Sequence, residues 1–139
     1  MKVPSNDLLE GEEGSWWLSI PPGWSEVSDP DCATIVSEGE LGTLQISAAF
    51  APGDVTDADL RDFAQEHIDA GAPTADVVAG DFRGFEIAYD DGEAYWRQWY
   101  LRAGSQILFV TYGCPLDAVG VDDAALESAL GTLGAVGAH

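Results

Sequence analysis

Residues 84–101 read GFEIAYDDGEAYWRQWYL, two strand-like runs rich in aromatic residues divided by Asp91-Gly92. An Asp-Gly pair in that setting marks a two-residue hairpin turn, and the turn fixes the register of both flanks. Centred on Asp91 and Gly92, it makes Asp90 face Glu93, Ala88 face Tyr95, Ile87 face Trp96, Glu86 face Arg97, Phe85 face Gln98 and Gly84 face Trp99. Two pairs give this register chemical sense. Glu86 and Arg97 form a cross-strand ion pair, and Trp99 lies over a glycine that has no side chain of its own. One face then carries Phe85, Ile87, Tyr89, Trp96 and Tyr100, and the other carries Glu86, Tyr95, Arg97, Trp99 and Leu101.

Outward from the hairpin, Ile107 to Tyr112 is apolar on both faces, which predicts a strand in the middle of a sheet covered on both sides. Ser15 to Ile20 alternates and is stopped by Pro21, Pro22 and Gly23; Ala33 to Val36 and Thr43 to Phe50 are two further strands, and the three together suggest a meander. Thr56 predicts a helix N-cap, with Asp57 and Asp59 in the first turn and Val55 and Leu60 as a hydrophobic staple. Leu60, Phe63, Ala64, His67 and Ile68 share one face of that helix, which ends at Gly71 and Pro73. A second helix is predicted from Asp122 toward Leu133, with Val121 and Leu126 as its staple and Leu126, Ala129, Leu130 and Leu133 as its buried stripe. The fold class expected is α+β, an antiparallel sheet of about six or seven strands with helices packed on its faces.

The order of these elements resembles the PsbP-like superfamily. The resemblance rests on a strand into Pro21-Pro22-Gly23-Trp24, the strand Leu44-Gln45-Ile46-Ser47, Gly84 with its hairpin, Trp96-Arg97-Gln98-Trp99, Ile107 to Tyr112 and a terminal helix, and it spans roughly residues 15 to 134. It implies a layered sandwich with an antiparallel sheet between helices, and non-enzymatic binding as the common thread. It transfers no site residue, because its motifs are strand and turn signals. The 139 residues are expected to form one domain, with an ordered core at about 15–134 behind an acidic lead, 1–14.

Charge bounds the function. The chain has 25 acidic and five basic side chains, a formal net charge of −20. Nucleic acid and anionic membrane surfaces are recognised through Lys and Arg, and only Lys2, Arg61, Arg83, Arg97 and Arg102 are present, so neither partner is expected. Residues 1–13 carry no apolar stretch of the kind found in signal peptides, which leads us to expect cytoplasmic residence. Cys32 and Cys114 are expected as free thiols there, although spacing alone leaves their pairing open.

No catalytic or cofactor signature emerges, and an enzyme is not expected. A Cys114–His67 nucleophile pair can be drawn, but the spacing says nothing of contact. The histidines and cysteines lack paired metal-ligand spacing, and the aspartates at 54, 57, 59 and 62 lack the glycine of a calcium loop. Helix capping explains Asp57 and Asp59 more simply. The most suggestive surface is aromatic: Trp16, Trp17, Trp24, Tyr95, Trp96, Trp99 and Tyr100 gather in two segments. Either these residues pack the core and the underside of a helix, or Tyr95, Arg97 and Trp99, with Glu86, form a protein-binding face. The expected function is a non-enzymatic protein-binding module, such as an adaptor, an effector chaperone or an immunity-type protein, that meets a basic partner. The alternative is a small-molecule or lipid-binding protein with an aromatic pocket.

The acidity has two readings, a charge-matched partner or adaptation to salt. Adaptation to salt predicts a melting temperature that climbs from dilute buffer to molar KCl, as calorimetry would show. An unchanged value counts against it.

Overall fold

The computed structural model of the chain describes residues 8–10, 15–21, 23–27, 33–37, 42–69, 71 and 74–135. Among these the chain runs through β1 (Leu8–Glu10), β2 (Trp16–Ser19), β3 (Ser25–Glu26), β4 (Ala33–Val36), β5 (Thr43–Phe50), α1 (Asp57–Phe63), α2 (Gln65–Asp69), β6 (Thr74–Ala79), β7 (Phe82–Asp90), β8 (Ala94–Ala103), β9 (Gln106–Pro115), α3 (Asp123–Leu130) and β10 (Gly134–Ala135). A 3-10 turn at Leu116–Ala118 leads from β9 toward α3. Seven strands form an antiparallel sheet in the order β3-β4-β5-β9-β8-β7-β6, and β1-β2-β10 form a smaller sheet. Class and strand number are those expected.

β9 lies fourth of the seven strands, at the centre of the large sheet. Its alternate residues supply two separate cores. Leu108, Val110, Tyr112 and Cys114 join Leu44, Ile46, Trp99 and Leu101 on one face, where Leu9, Trp16 and Leu18 of the small sheet and Leu126, Ala129 and Leu130 of α3 close over them. On the opposite face Ile107 packs with Phe85, Ile87 and Tyr100 beneath Val55, Leu60 and Ala64. Each fully buried Leu or Ile contributes roughly 2 kcal/mol by leaving water.

The hairpin forms with its turn displaced. Asp90 faces Tyr95, Glu86 faces Trp99, Phe85 faces Tyr100 and Gly84 faces Leu101, so the register differs by two residues from the one read off Asp91-Gly92. The cause is the Asp91 side chain. Its carboxylate accepts from the backbone N–H groups of Glu93 and Ala94, each at 2.9 Å, and the Asp91 N–H donates to the Ala94 carbonyl. The tight positions thus become Gly92 and Glu93, with Gly92 at φ +89. A slip of two leaves each side chain on its expected face, whereas a slip of one would have inverted the sheet. The aromatic-over-glycine contact moves with it: Trp96, not Trp99, covers a glycine, and that glycine is Gly113.

Other expectations are corrected in detail. β2 does not continue a meander into β4; it lies in the small sheet between β1 and β10. The stretch read as an acidic lead contributes β1, whose Leu9 is fully buried. The first helix has the expected Thr56 cap, with the Asp59 N–H donating to Thr56 Oγ1; the Thr56 N–H donating to Asp59 Oδ2 completes a capping box, and Val55 and Leu60 are both buried. It breaks at Ala64, however, and Phe63 is exposed, its ring edge-on to Phe109. The side chain of His67 lies outside the described residues, as does Cys32. α3 buries the expected stripe, but Val121 is exposed and closes no staple.

Gly84 marks a close approach of β7 to β8. A Cβ there would run into the main-chain carbonyl of Tyr100, whereas one on Gly53 would meet nothing within 4 Å. Gly84→Ala should therefore destabilise by about 2 kcal/mol, within the range of overpacked sites, and Gly53→Ala by almost nothing. Denaturant midpoints compare the two directly, and equal midpoints would show that the approach places no demand on residue 84.

Candidate functional site

β7 and β8 bring Glu86, Tyr95, Arg97 and Trp99 onto one face, as the alternation of the sequence requires. That face is the one covered by the small sheet and α3. Trp99 is 2% exposed, so its bulk belongs to the core and offers nothing to a partner. Arg97 spans the layers: Nε donates to Glu86 Oε2 at 2.5 Å, Nη1 donates to Asp123 Oδ1 at 3.1 Å, and the guanidinium lies 4.8 Å from the centre of the Trp99 ring. Its side chain is 11% exposed and that of Glu86 16%. Burial disfavours the charged guanidinium, but its hydrogen bond to Glu86 and the charges of Glu86 and Asp123 more than offset it, so the Arg97 pKa is raised. The four expected site residues are thus brought together, but as an internal strut that fastens the first turn of α3 to the sheet. Of the two readings of Trp99 and Arg97, the structure supports packing, and the binding-face reading is corrected: both are withdrawn from solvent.

A second polar contact anchors the same helix. Tyr112 on β9 donates to Asp122 Oδ2 at 2.6 Å, and Asp122, 9% exposed, stands at the N-cap position of α3. Burial first, then the hydrogen bond to Asp122, raises the Tyr112 pKa. Cys114, two residues along, is a free thiol and 4% exposed. Among the described residues no group of three or more His, Cys, Asp or Glu side chains could hold a metal ion.

What the structure does leave on the surface is the connection from β9 to α3. Leu116, Val119 and Val121 are exposed by 42%, 47% and 61% within six residues. Ala94 pairs with Pro115, so the tip of the β7–β8 hairpin, with exposed Asp90, Asp91 and Glu93, stands beside this loop. Exposed Asp117 and Asp123 complete an acidic rim. Sequence reading passed over the loop because Val121 fits a helix staple; the alternating solvent exposure needed to recognise it appears only once α3 is docked.

Among solved structures the chain is similar to a protein of Bacteroides thetaiotaomicron, with a TM-score of 0.69 and 16% identity over 93% of this chain. It is also similar to the PsbP of the cyanobacterium Synechocystis, with a TM-score of 0.48, 12% identity, 92% of this chain and 91% of that one covered. The likeness to the Bacteroides protein shows the fold, an α+β arrangement with a seven-stranded antiparallel sheet. This chain spans about half the length of the Bacteroides protein, 48%. At such identities the likeness extends to the fold, and no activity passes from either protein to this one. No protein-family model matches the chain. No curated protein matches it either. No helix of the described residues is long and apolar enough to cross a membrane.

The tyrosines give the domain a signed pH dependence. Burial raises the pKa values of Tyr95, Tyr100 and Tyr112, whereas unfolded tyrosines ionise near pH 10. Their contribution is present in full below about pH 10 and is lost as pH rises above it. Tyr112→Phe should cost about 1–3 kcal/mol at neutral pH by leaving the Asp122 carboxylate without its donor, and should make the alkaline loss shallower. Urea titrations on either side of pH 10 measure both effects. A variant as stable as the parent, with the same alkaline slope, would remove this contact from the account.

Proposed function

We propose that the protein is a non-catalytic cytoplasmic binding module, and that it docks a basic partner protein on the β9–α3 loop. The observation that carries this reading is the grouping of exposed Leu116, Val119 and Val121 beside Asp90, Asp91, Glu93, Asp117 and Asp123. Apolar anchors supply affinity once water is excluded, and a rim of one sign selects and steers a partner of the other. A net charge of −20 adds long-range attraction for a basic protein and repulsion for nucleic acid and anionic lipid. Cys114 supports the compartment, since a free thiol persists in a reducing medium. The lack of catalysis is supported by the burial of Cys114, the sole nucleophile weighed from the sequence.

Val121→Asp separates apolar docking from bulk electrostatic capture, because it removes an anchor while making the protein more acidic. With bait protein on a resin and a lysate of the source organism, the parent should retain one basic protein at stoichiometric level in low salt and release it in high salt. Val121→Asp should weaken retention by about tenfold or more with an unchanged melting temperature. Equal or stronger retention by the variant would assign the capture to charge alone and overturn the loop as the docking site.

A further inference from the structure

Of five basic residues, three converge at one place. Arg61 on α1, Arg83 on β7 and Arg102 on β8 surround Asp57 at the start of α1. Arg83 and Arg102 are directly opposed across the β7–β8 ladder, an arrangement of like charges that costs stability by itself. Arg102 Nε donates to Asp57 Oδ1 at 2.9 Å, which accounts for that cation. Arg97 is bound within the strut, and Lys2 lies outside the described residues. Arg61 and Arg83 have no carboxylate at ion-pair distance among the described residues, in a chain with 25 acidic side chains.

These two guanidinium groups line an open cleft of about 370 Å³ between α1 and the edge of the large sheet. Phe85 and Val78, which pairs with Arg83 across the β6–β7 ladder, form its apolar part, and Arg61 is held over the Phe85 ring at 5.3 Å. An arginine fork matches the planar oxygen pair of a carboxylate or two oxygens of a phosphate, and this cleft is lined by two of them. Two carboxylates also line the cleft: Asp57, already bound to Arg102, and Asp76, which opposes an anion there.

We propose that this cleft binds the oxyanion of a small solute, a phosphate or carboxylate group, between Arg61 and Arg83, with the attached carbon skeleton against Val78 and Phe85. The bound anion offsets the repulsion between the opposed arginines, and the −20 charge of the rest of the protein confines anion binding to this position. The site stands apart from the docking loop and does not depend on it.

The test is a backbone-amide NMR titration with phenyl phosphate, inorganic phosphate and benzoate, each at ionic strength matched with KCl. Saturable shifts centred on Arg61, Asp76, Arg83 and Gly84 are expected. Arg83→Gln should weaken binding about tenfold, and Asp76→Asn should tighten it several-fold by removing the opposing charge. Both side chains are exposed, and unchanged spectra away from the cleft will show that the fold is retained. Phenyl phosphate binding more tightly than inorganic phosphate supports the proposed apolar contact; equal affinity overturns that contact and leaves the free anion as ligand. Shifts that do not saturate, or that are the same in Arg83→Gln, overturn the site. So does Asp76→Asn without tightening.

Discussion

Ile107, Leu108, Phe109, Val110 and Tyr112 follow one another on a single strand, so that strand can be stable only if both of its faces are withdrawn from water. The other elements satisfy this requirement. β5 and β8 flank β9, α1 and α2 cover one face, and α3 with the small sheet covers the other. The two covers meet different conditions. The α1 side closes over Phe85, stacked at 5.3 Å on Tyr100, and is purely apolar at its centre. The α3 side also carries the Glu86–Arg97–Asp123 and Tyr112–Asp122 contacts, which fix where the helix starts. Apolar packing alone would hold α3 against the sheet but leave its rotation and translation loosely set. Directional contacts to both of the first two residues, Asp122 and Asp123, remove that freedom.

The central strand, the buried stripe of α3 and the face assignments of the hairpin were legible in the sequence because each depends on local periodicity. The hairpin register was not. The Asp-Gly signal places a turn but does not say whether the aspartate will act through its backbone or its side chain, and here Asp91 spends its carboxylate on two N–H groups of the turn. The cost of that error was specific. In the register expected from Asp91-Gly92, Arg83 falls opposite Tyr100; in the observed one it faces Arg102, and the cationic cleft becomes visible. β6 shows the converse case. Val77, Val78 and Ala79 followed by Gly80-Asp81 and Phe82 form a two-residue hairpin signal that local rules could have found. The strands β1 and β10, three and two residues long, had no such signal: both are too short to show a period, and β10 pairs with β2 across more than a hundred residues of chain.

The aromatic cluster illustrates why composition is a poor guide to surfaces. Tryptophan and arginine are enriched at binding sites, yet they are also the residues best suited to join a sheet to a helix across a polar contact. Arg97 stacked on Trp99 uses the flat face of the guanidinium on the ring and its edge on two carboxylates, a geometry lysine cannot reproduce. Burial, not residue type, distinguishes the two roles, and burial follows from which face the small sheet occupies.

The docking loop and the arginine cleft lie toward opposite ends of the same β7–β8 hairpin, Arg83 near its open end and Asp90 at its tip. Seven residues of extended strand separate them, about 23 Å along the strand. At that distance, beyond the Debye length in physiological salt, neither an anion in the cleft nor a basic protein at the tip changes the other's local field appreciably. Coupling between them would need an element with two arrangements, and the intervening ladder is paired with β9 along all of β8 and with β6 along β7 from Phe82 to Ile87. The physical expectation is therefore two sites that fill independently: a small ligand in the cleft neither recruits nor expels the partner on the loop.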